Sequence, residues 1–405
     1  MTARRQTGGL EELLAAKEIV IACGPGGVGK TTVSAALAAG AAARSGGRVL
    51  VLTVDPARRL ADALHVEGLG NEARRVPASA FAASGVRPKG ELWAAMLDTK
   101  QSWDALVRRH APDAATARQI LGNPLYRNIT GRFARSHEYI AMERLYELHA
   151  EGEYDLLVVD TPPSNDALDF LDAPERMAEF FGSGLLRWLI APYRSRLVSL
   201  ASRPFYQVAD RILGTQFLED VGEFFLLFQA MYDGFAARAR SVSALLREAH
   251  TTFMVVTTLE TVPALEAERL AAELAARRLH LGLLVANKVL PASLRDPDAA
   301  AVADALQSDA EALAAGLAGT RAGRTPPSPG ELTELRRVLE EVGRSFADFR
   351  LVAQREAEVL EELAAAHQVT VTVPHLARDV VDVDGLLEIG ARLFEGAQRP
   401  SGGPA

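Results

Sequence analysis

The stretch Gly24-Pro-Gly-Gly-Val-Gly-Lys-Thr-Thr32 holds the residue types and spacing that bind phosphate: a glycine, four residues, a second glycine, a lysine and a hydroxyl residue. It follows a β-branched run, Glu18 to Cys23, and precedes an alanine-rich segment, so it reads as a strand, a loop and the first turn of a helix. The backbone N–H groups of Gly26, Gly27, Val28 and Gly29 can turn inward as a nest, and the helix adds its positive N-terminal end. Lys30 would neutralise the β- and γ-phosphates, Thr31 would give its hydroxyl to Mg²⁺, and Thr32 would reach the α-phosphate. Two carboxylates stand where such a loop needs them. Asp55, in Val54-Asp-Pro-Ala, follows a second strand and would orient or deprotonate an attacking water; the alternative is a helix-capping Asp-Pro turn. Asp160 ends the apolar run Leu156 to Val159 and would support the Mg²⁺ ion through a water.

These residues need a rigid frame. Short apolar runs alternate with long helical patterns, which predicts an α/β fold, a mostly parallel sheet flanked by helices, with an inserted helical subdomain. Strands are expected at Glu18 to Cys23, Arg48 to Val54, Leu92 to Thr99, Asp155 to Asp160, Thr252 to Thr258, Leu281 to Asn287 and Val369 to Val373. The implied organisation is a phosphate-binding core at 1–99, a helical insertion at 100–152, core again at 153–173, and a helical subdomain at 174–250. The remainder of the core is 251–397 with a helical insertion at 292–367, and 398–405 is a disordered tail. Gly319 to Gly330, rich in proline and glycine, reads as a loop splitting the last insertion. The two insertions at 100–152 and 174–250 are expected to lie together beside the sheet.

Composition narrows the partners. A net charge of -8 argues against nucleic acid, which needs a clustered positive surface. Of the 44 basic residues 39 are arginine, a coding bias without functional content. A single cysteine, Cys23, excludes an intrachain disulfide framework and any multi-cysteine metal site, and reads as a small buried hydrophobe. The eight histidines are scattered and show no metal-ligand spacing. The apolar stretches Phe180 to Val198 and Phe217 to Phe235 are interrupted by charges, so no transmembrane segment is expected. Met1 to Lys17 is too broken for a secretory signal, and a cytoplasmic location is expected. Phe217, Val221, Phe224, Phe225, Phe228, Met231, Tyr232 and Phe235 recur at helical spacing, either as a groove for a hydrophobic client or as subdomain core.

Together the loop, Asp55-Pro-Ala and Asp160-Thr-x-Pro resemble the ATPases that drive arsenite export and that deliver tail-anchored membrane proteins, within the deviant Walker A group. The resemblance covers nearly the whole chain. It implies Mg²⁺-dependent ATP hydrolysis by a dimer, with Asn287 hydrogen-bonding the base and Pro374 and His375 in a loop covering it. Asn287-Lys288 is not followed by the aspartate that guanine selection favours, since Leu290 stands there. Three departures stand out. Where the family has a lysine that reaches the partner's nucleotide, this chain has Pro25, without charge or backbone donor. Ser164-Asn165-Asp166 replaces the family's Thr-Gly-His in the second switch. The metal-binding cysteines are missing, so arsenite has no supporting residue. The implied states are a homodimer or a heterodimer with a lysine-bearing paralogue, acting on a hydrophobic client or membrane-protein partner. A weakly hydrolysing regulatory subunit, a chaperone for hydrophobic segments and an oxyanion-pump energiser are the rival readings.

Overall fold

The computed structural model describes residues 9–54, 59–126, 136–161, 223–227, 231–319, 328–366 and 370–396, with Asp172, Arg176 and Glu179 as isolated positions. Within them lies one eight-stranded sheet: β1 Ile19–Cys23, β2 Arg48–Thr53, β3 Arg74–Arg75, β4 Glu91–Met96, β5 Leu156–Asp160, β6 Thr251–Thr257, β7 Leu281–Val289 and β8 Thr370–Pro374. Their order across the sheet is β3-β4-β2-β5-β1-β6-β7-β8. Every neighbouring pair is parallel except β3 with β4.

Each central strand is an unbroken apolar run because both its faces are covered. Alternate side chains feed two cores. Ile19, Ile21, Val159, Phe253 and Val255 join the cluster on one face. Val20, Ala22, Val158, Met254 and Val256 join the cluster on the other. The second face is roofed by α1 (Leu10–Ala15), α2 (Lys30–Arg44), α3 (Arg59–Leu64) and the C-terminal α12 (Val383–Gly396). The alanines of α2 let α12 come close. A Cβ on Gly390 would lie 2.8 Å from the Ala36 carbonyl oxygen, and one on Gly40 would lie 2.7 Å from the Phe394 ring.

The first face carries α4 (Thr99–His110), α5 (Ala114–Gly122), α6 (Ser136–Glu151), α7 (Tyr232–Leu245) and α8 (Thr261–Ala276). Trp103, Leu106, Met142 and Val242 share one continuous cluster with Ile19 and Phe253. The described parts of the two helical insertions pack on this face of the sheet and extend its core. Arg238 binds α7 to α6 through Glu143, 2.9 Å away, and lies over the Tyr146 ring. Burial raises the Glu143 carboxyl above its usual range even with that guanidinium beside it. The α9 (Pro297–Ser308), α10 (Ala310–Gly319) and α11 (Pro329–Ala366) helices lie beyond β7.

Some expected boundaries move for local reasons. The strand expected over Leu92 to Thr99 ends at Met96, because Asp98 caps α4 by accepting from the Gln101 N–H at 2.9 Å. The loop expected through Gly330 stops at Ser328, where α11 begins. Ser328 Oγ accepts from the Glu331 N–H at 3.3 Å and Glu331 accepts from the Ser328 N–H at 2.7 Å, a capping box with Pro329 inside the first turn. The two-residue β3 was not expected: Arg74-Arg75 has no apolar pattern, and Arg75 is held by Glu91 at 3.0 Å. The tail at 398–405 lies outside the described residues. Among those described, no helix is long and apolar enough to cross a membrane.

The glycine contact between α2 and α12 yields a stability prediction. Gly390→Val forces a side chain against the Ala36 backbone and is expected to cost about 2 kcal/mol, as overpacking does. Denaturant unfolding reads this as a lowered midpoint at unchanged slope, whereas substitution at exposed Gly46 should leave it unmoved.

Candidate nucleotide site

The loop between β1 and α2 is shaped by three glycines in conformations other residues rarely adopt: Gly24 at φ +144°, Gly27 at +80° and Gly29 at +93°. Close packing adds to the requirement at two of them. A Cβ on Gly24 would sit 2.1 Å from the Val256 carbonyl oxygen, and one on Gly29 would sit 2.4 Å from Asn287 Nδ2. The loop is thus wedged against the C-terminal ends of β6 and β7, where parallel sheets place their ligands.

Lys30 opens α2, is 6% exposed, and curls back across the loop. Its Nζ donates to the Gly24 carbonyl at 2.9 Å and to the Pro25 carbonyl at 2.7 Å. Pro25 is itself buried. Val28 is buried beneath the loop, while Gly26 and Gly27 are exposed at its tip.

Asp160 is fully buried at the end of β5. Sheet register sets it opposite Ala22 of β1 and Thr53 of β2. Its Oδ2 accepts hydrogen bonds from Thr31 Oγ1 at 2.7 Å and Thr53 Oγ1 at 2.9 Å. The adjoining Thr161 hydroxyl donates to the Ala22 carbonyl at 2.8 Å. This is an oxygen-only set at the foot of a phosphate nest, and its chemistry fits a hard cation such as Mg²⁺.

On the opposite side, Asn287 is buried at the end of β7 and its Nδ2 donates to the Val28 carbonyl at 2.7 Å. Lys288, at φ +61° where the register between β7 and β8 shifts, donates from Nζ to the Gly27 carbonyl at 3.1 Å. Pro374 and His375 follow, with the His375 N–H donating to the Val289 carbonyl at 2.8 Å.

A cleft of about 850 Å³ joins these parts. Gly27, Gly29, Lys30, Thr31 and Thr32 line one side. Asn287, Pro374 and His375 line the other, with Arg378 at the rim. Asp160 stands behind Thr31 and reaches the cleft through it. Asp55 lies outside the described residues, as do Ser164, Asn165 and Asp166 of the second switch. Val54, the residue before Asp55, is described: its N–H donates to the Asp160 carbonyl at 3.1 Å.

Reading the sequence missed Thr53 and Lys288. Thr53 was visible only as a residue near the end of a strand; its role needs the register that sets β2 beside β5. Lys288 was visible as the neighbour of Asn287, but its reach to the loop depends on a left-handed backbone that no local pattern announced. Cys23 lies under the loop with Sγ against the Met254 carbonyl at 3.7 Å, and burial pushes its thiol up to about 12, offset in part by Lys30. Burial there disfavours the thiolate, the form that binds metals and attacks electrophiles.

A glycine nest leading into a helix, a lysine, and a strand-end aspartate bonded to the loop threonine define a P-loop nucleoside triphosphatase fold. A profile of the family described as "Anion-transporting ATPase" matches residues 17–313, and the chain belongs to that family. An uncharacterized protein of Streptomyces coelicolor is 32% identical over 271 residues, 66% of this chain and 61% of that one. A Chlorobaculum tepidum protein named for an arsenical pump-driving ATPase is 31% identical over 155 residues, 38% of this chain and 35% of its own length. The ATPase get3 of Schizosaccharomyces pombe is 26% identical over 291 residues, 70% of this chain and 77% of that one. The match thus spans between about a third and six tenths of the bacterial relatives.

Two outcomes follow from the loop geometry. Gly29→Ala meets both an unfavourable φ and the Asn287 amide, so it should lose most nucleotide binding in a fluorescent-analogue titration while its circular dichroism stays native. Cys23 should resist a thiol reagent at pH 8 in the native chain and react at once on unfolding.

Proposed function

We propose that this chain binds ATP with Mg²⁺ and hydrolyses it to ADP and phosphate, working as a nucleotide-switched dimer on a protein partner. The observation that carries this reading is the Thr31–Asp160–Thr53 constellation at the foot of the glycine nest. The N–H groups of the loop and the Lys30 ammonium hold the phosphates, with Thr32 at the α-phosphate. Lys30 exchanges its two loop carbonyls for phosphate oxygens. Mg²⁺, when bound, would be held by Thr31 and supported by Asp160, and would draw charge from the phosphate oxygens. Asp55 comes two residues after the end of β2 in the sequence and is assigned the positioning of water. Asn287, Pro374 and His375 flank the base; Asn287 keeps Nδ2 on Val28 and turns its remaining amide capacity to the adenine.

Pro25 gives the proposal its particular form. At this position a neutral side chain is buried and its carbonyl is engaged by Lys30, so the chain offers no cation there to a partner's nucleotide. A homodimer then lacks that charge in both sites and turns over slowly. A heterodimer with a lysine-bearing paralogue has it in this chain's site alone. The asymmetric arrangement is the preferred one, and a regulatory subunit that binds ATP with little hydrolysis is the second reading, favoured by the same proline. The chaperone reading has less support. Of the aromatic stripe, Phe224 and Met231 are buried in the core and Phe225 packs against it; Phe217, Val221 and Phe228, with the side chains of Tyr232 and Phe235, lie outside the described residues.

Steady-state hydrolysis by the chain alone and mixed with a lysine-bearing paralogue tests this. The chain alone should bind ATP and turn over slowly, and mixing should raise its rate by about 10³-fold or more, as a trans cation does. Lys30→Ala and Asp55→Asn should each abolish the activity. Fast turnover by the chain alone, lost in both variants, would remove the motive for the asymmetric dimer. Binding with no hydrolysis in either sample would select the regulatory subunit.

A further inference from the structure

The sheet has a second cluster of ligating side chains at its opposite end. Glu18 immediately precedes β1, His250 immediately precedes β6, and His149 lies in the last turn of α6. Their positions in sequence are 131 residues apart for Glu18 and His149, which is why the histidines looked scattered when read along the chain. The fold brings them together. One ring nitrogen of each histidine and one Glu18 oxygen all lie within 4.8 Å of one another.

We propose that Glu18, His149 and His250 form a site for a borderline divalent metal ion of the Zn²⁺ or Co²⁺ class. Two imidazoles with one carboxylate are a ligand set that such ions favour and that Mg²⁺ does not. In a tetrahedral site with bonds of about 2.1 Å, ligand atoms stand about 3.4 Å apart, so side-chain adjustments of about an ångström close the set. The backbones beneath are already fixed. The Glu18 and Ile19 N–H groups both donate to the His250 carbonyl, at 2.9 and 3.1 Å, and β1 pairs with β6 directly beyond. The two rings stack with centroids 5.1 Å apart and planes 12° from parallel, which puts their edges side by side.

Nε2 of His250 is sealed from solvent, with Glu248 Oε2 2.9 Å away but not aligned for a hydrogen bond. An ion bound at that nitrogen would satisfy it, and Glu248 adds negative charge beside the site. His149 Nε2 already meets Glu18 Oε2 at 2.8 Å, so the metal takes the place of that contact. Lys17 donates from its ammonium to the carbonyl of Ala249, the residue before His250, and that bond holds the cation on the backbone. A bound ion ties the end of α6 to the edge shared by β1 and β6. The site is independent of the nucleotide cleft, which opens at the other end of the same strands.

Titration of the untagged, metal-stripped full chain with Co²⁺ alone, in excess Mg²⁺, tests the proposal through the visible absorption of the bound ion. One Co²⁺ per chain is expected, displaced by Zn²⁺. His149→Gln and His250→Gln should each abolish the absorption. Circular dichroism checks each variant, and Glu18→Gln, at an exposed position, serves if a histidine variant does not fold. Absence of Co²⁺ uptake by the wild type would overturn the proposal. So would uptake that persists unchanged in the folded variants.

Discussion

One buried carboxylate organises this molecule. Asp160 has left water completely, and its Oδ2 is held by the hydroxyls of Thr31 and Thr53, one from the first turn of α2 and one from the end of β2. A carboxylate in such surroundings is costly unless hydrogen-bonded, and each bond to a charged group contributes about 1.5–3 kcal/mol. The same two bonds fix the start of α2 relative to β2 and β5. The phosphate loop, which ends at that helix, therefore has its base set by an interaction that stabilises the sheet.

From this anchor the rest of the cleft follows. The loop is pressed between Asp160 on one side and Asn287 with Lys288 on the other, both of which bond loop carbonyls. Glycines at 24 and 29 are required because β6 and β7 come too near for a side chain. The nest is thus shaped before any anion arrives, and Lys30 is the group that must leave its loop carbonyls to receive one. The α12 helix closes the other side by packing on the alanines of α2, which places the loop after β8 over the cleft. Core packing and site geometry are parts of one construction.

Much of this was legible in the sequence, for a physical reason. A fully buried parallel strand must be an unbroken apolar run, and a phosphate nest must contain glycine at fixed positions, so both leave local marks. Asp160 was legible because it ends such a run. What the sequence hid depends on register and on distant contacts. Thr53 becomes a partner of Asp160, 107 positions further along the chain, only when β2 lies beside β5. His149 and His250 meet only at the N-terminal end of the sheet. The start of α11 was mistaken because Pro-Ser-Pro-Gly reads as a breaker, although Ser328 and Glu331 carry a capping box.

The central claim is that Asp160 and Thr31 couple the phosphate nest to a divalent cation. Its most direct test is the affinity for a fluorescent ATP analogue with and without Mg²⁺, in the wild type and in Asp160→Asn. The account predicts that Mg²⁺ strengthens binding by the wild type, and that the variant keeps its Mg²⁺-free affinity but gains little on adding the ion. An equal gain from Mg²⁺ in both proteins would contradict it.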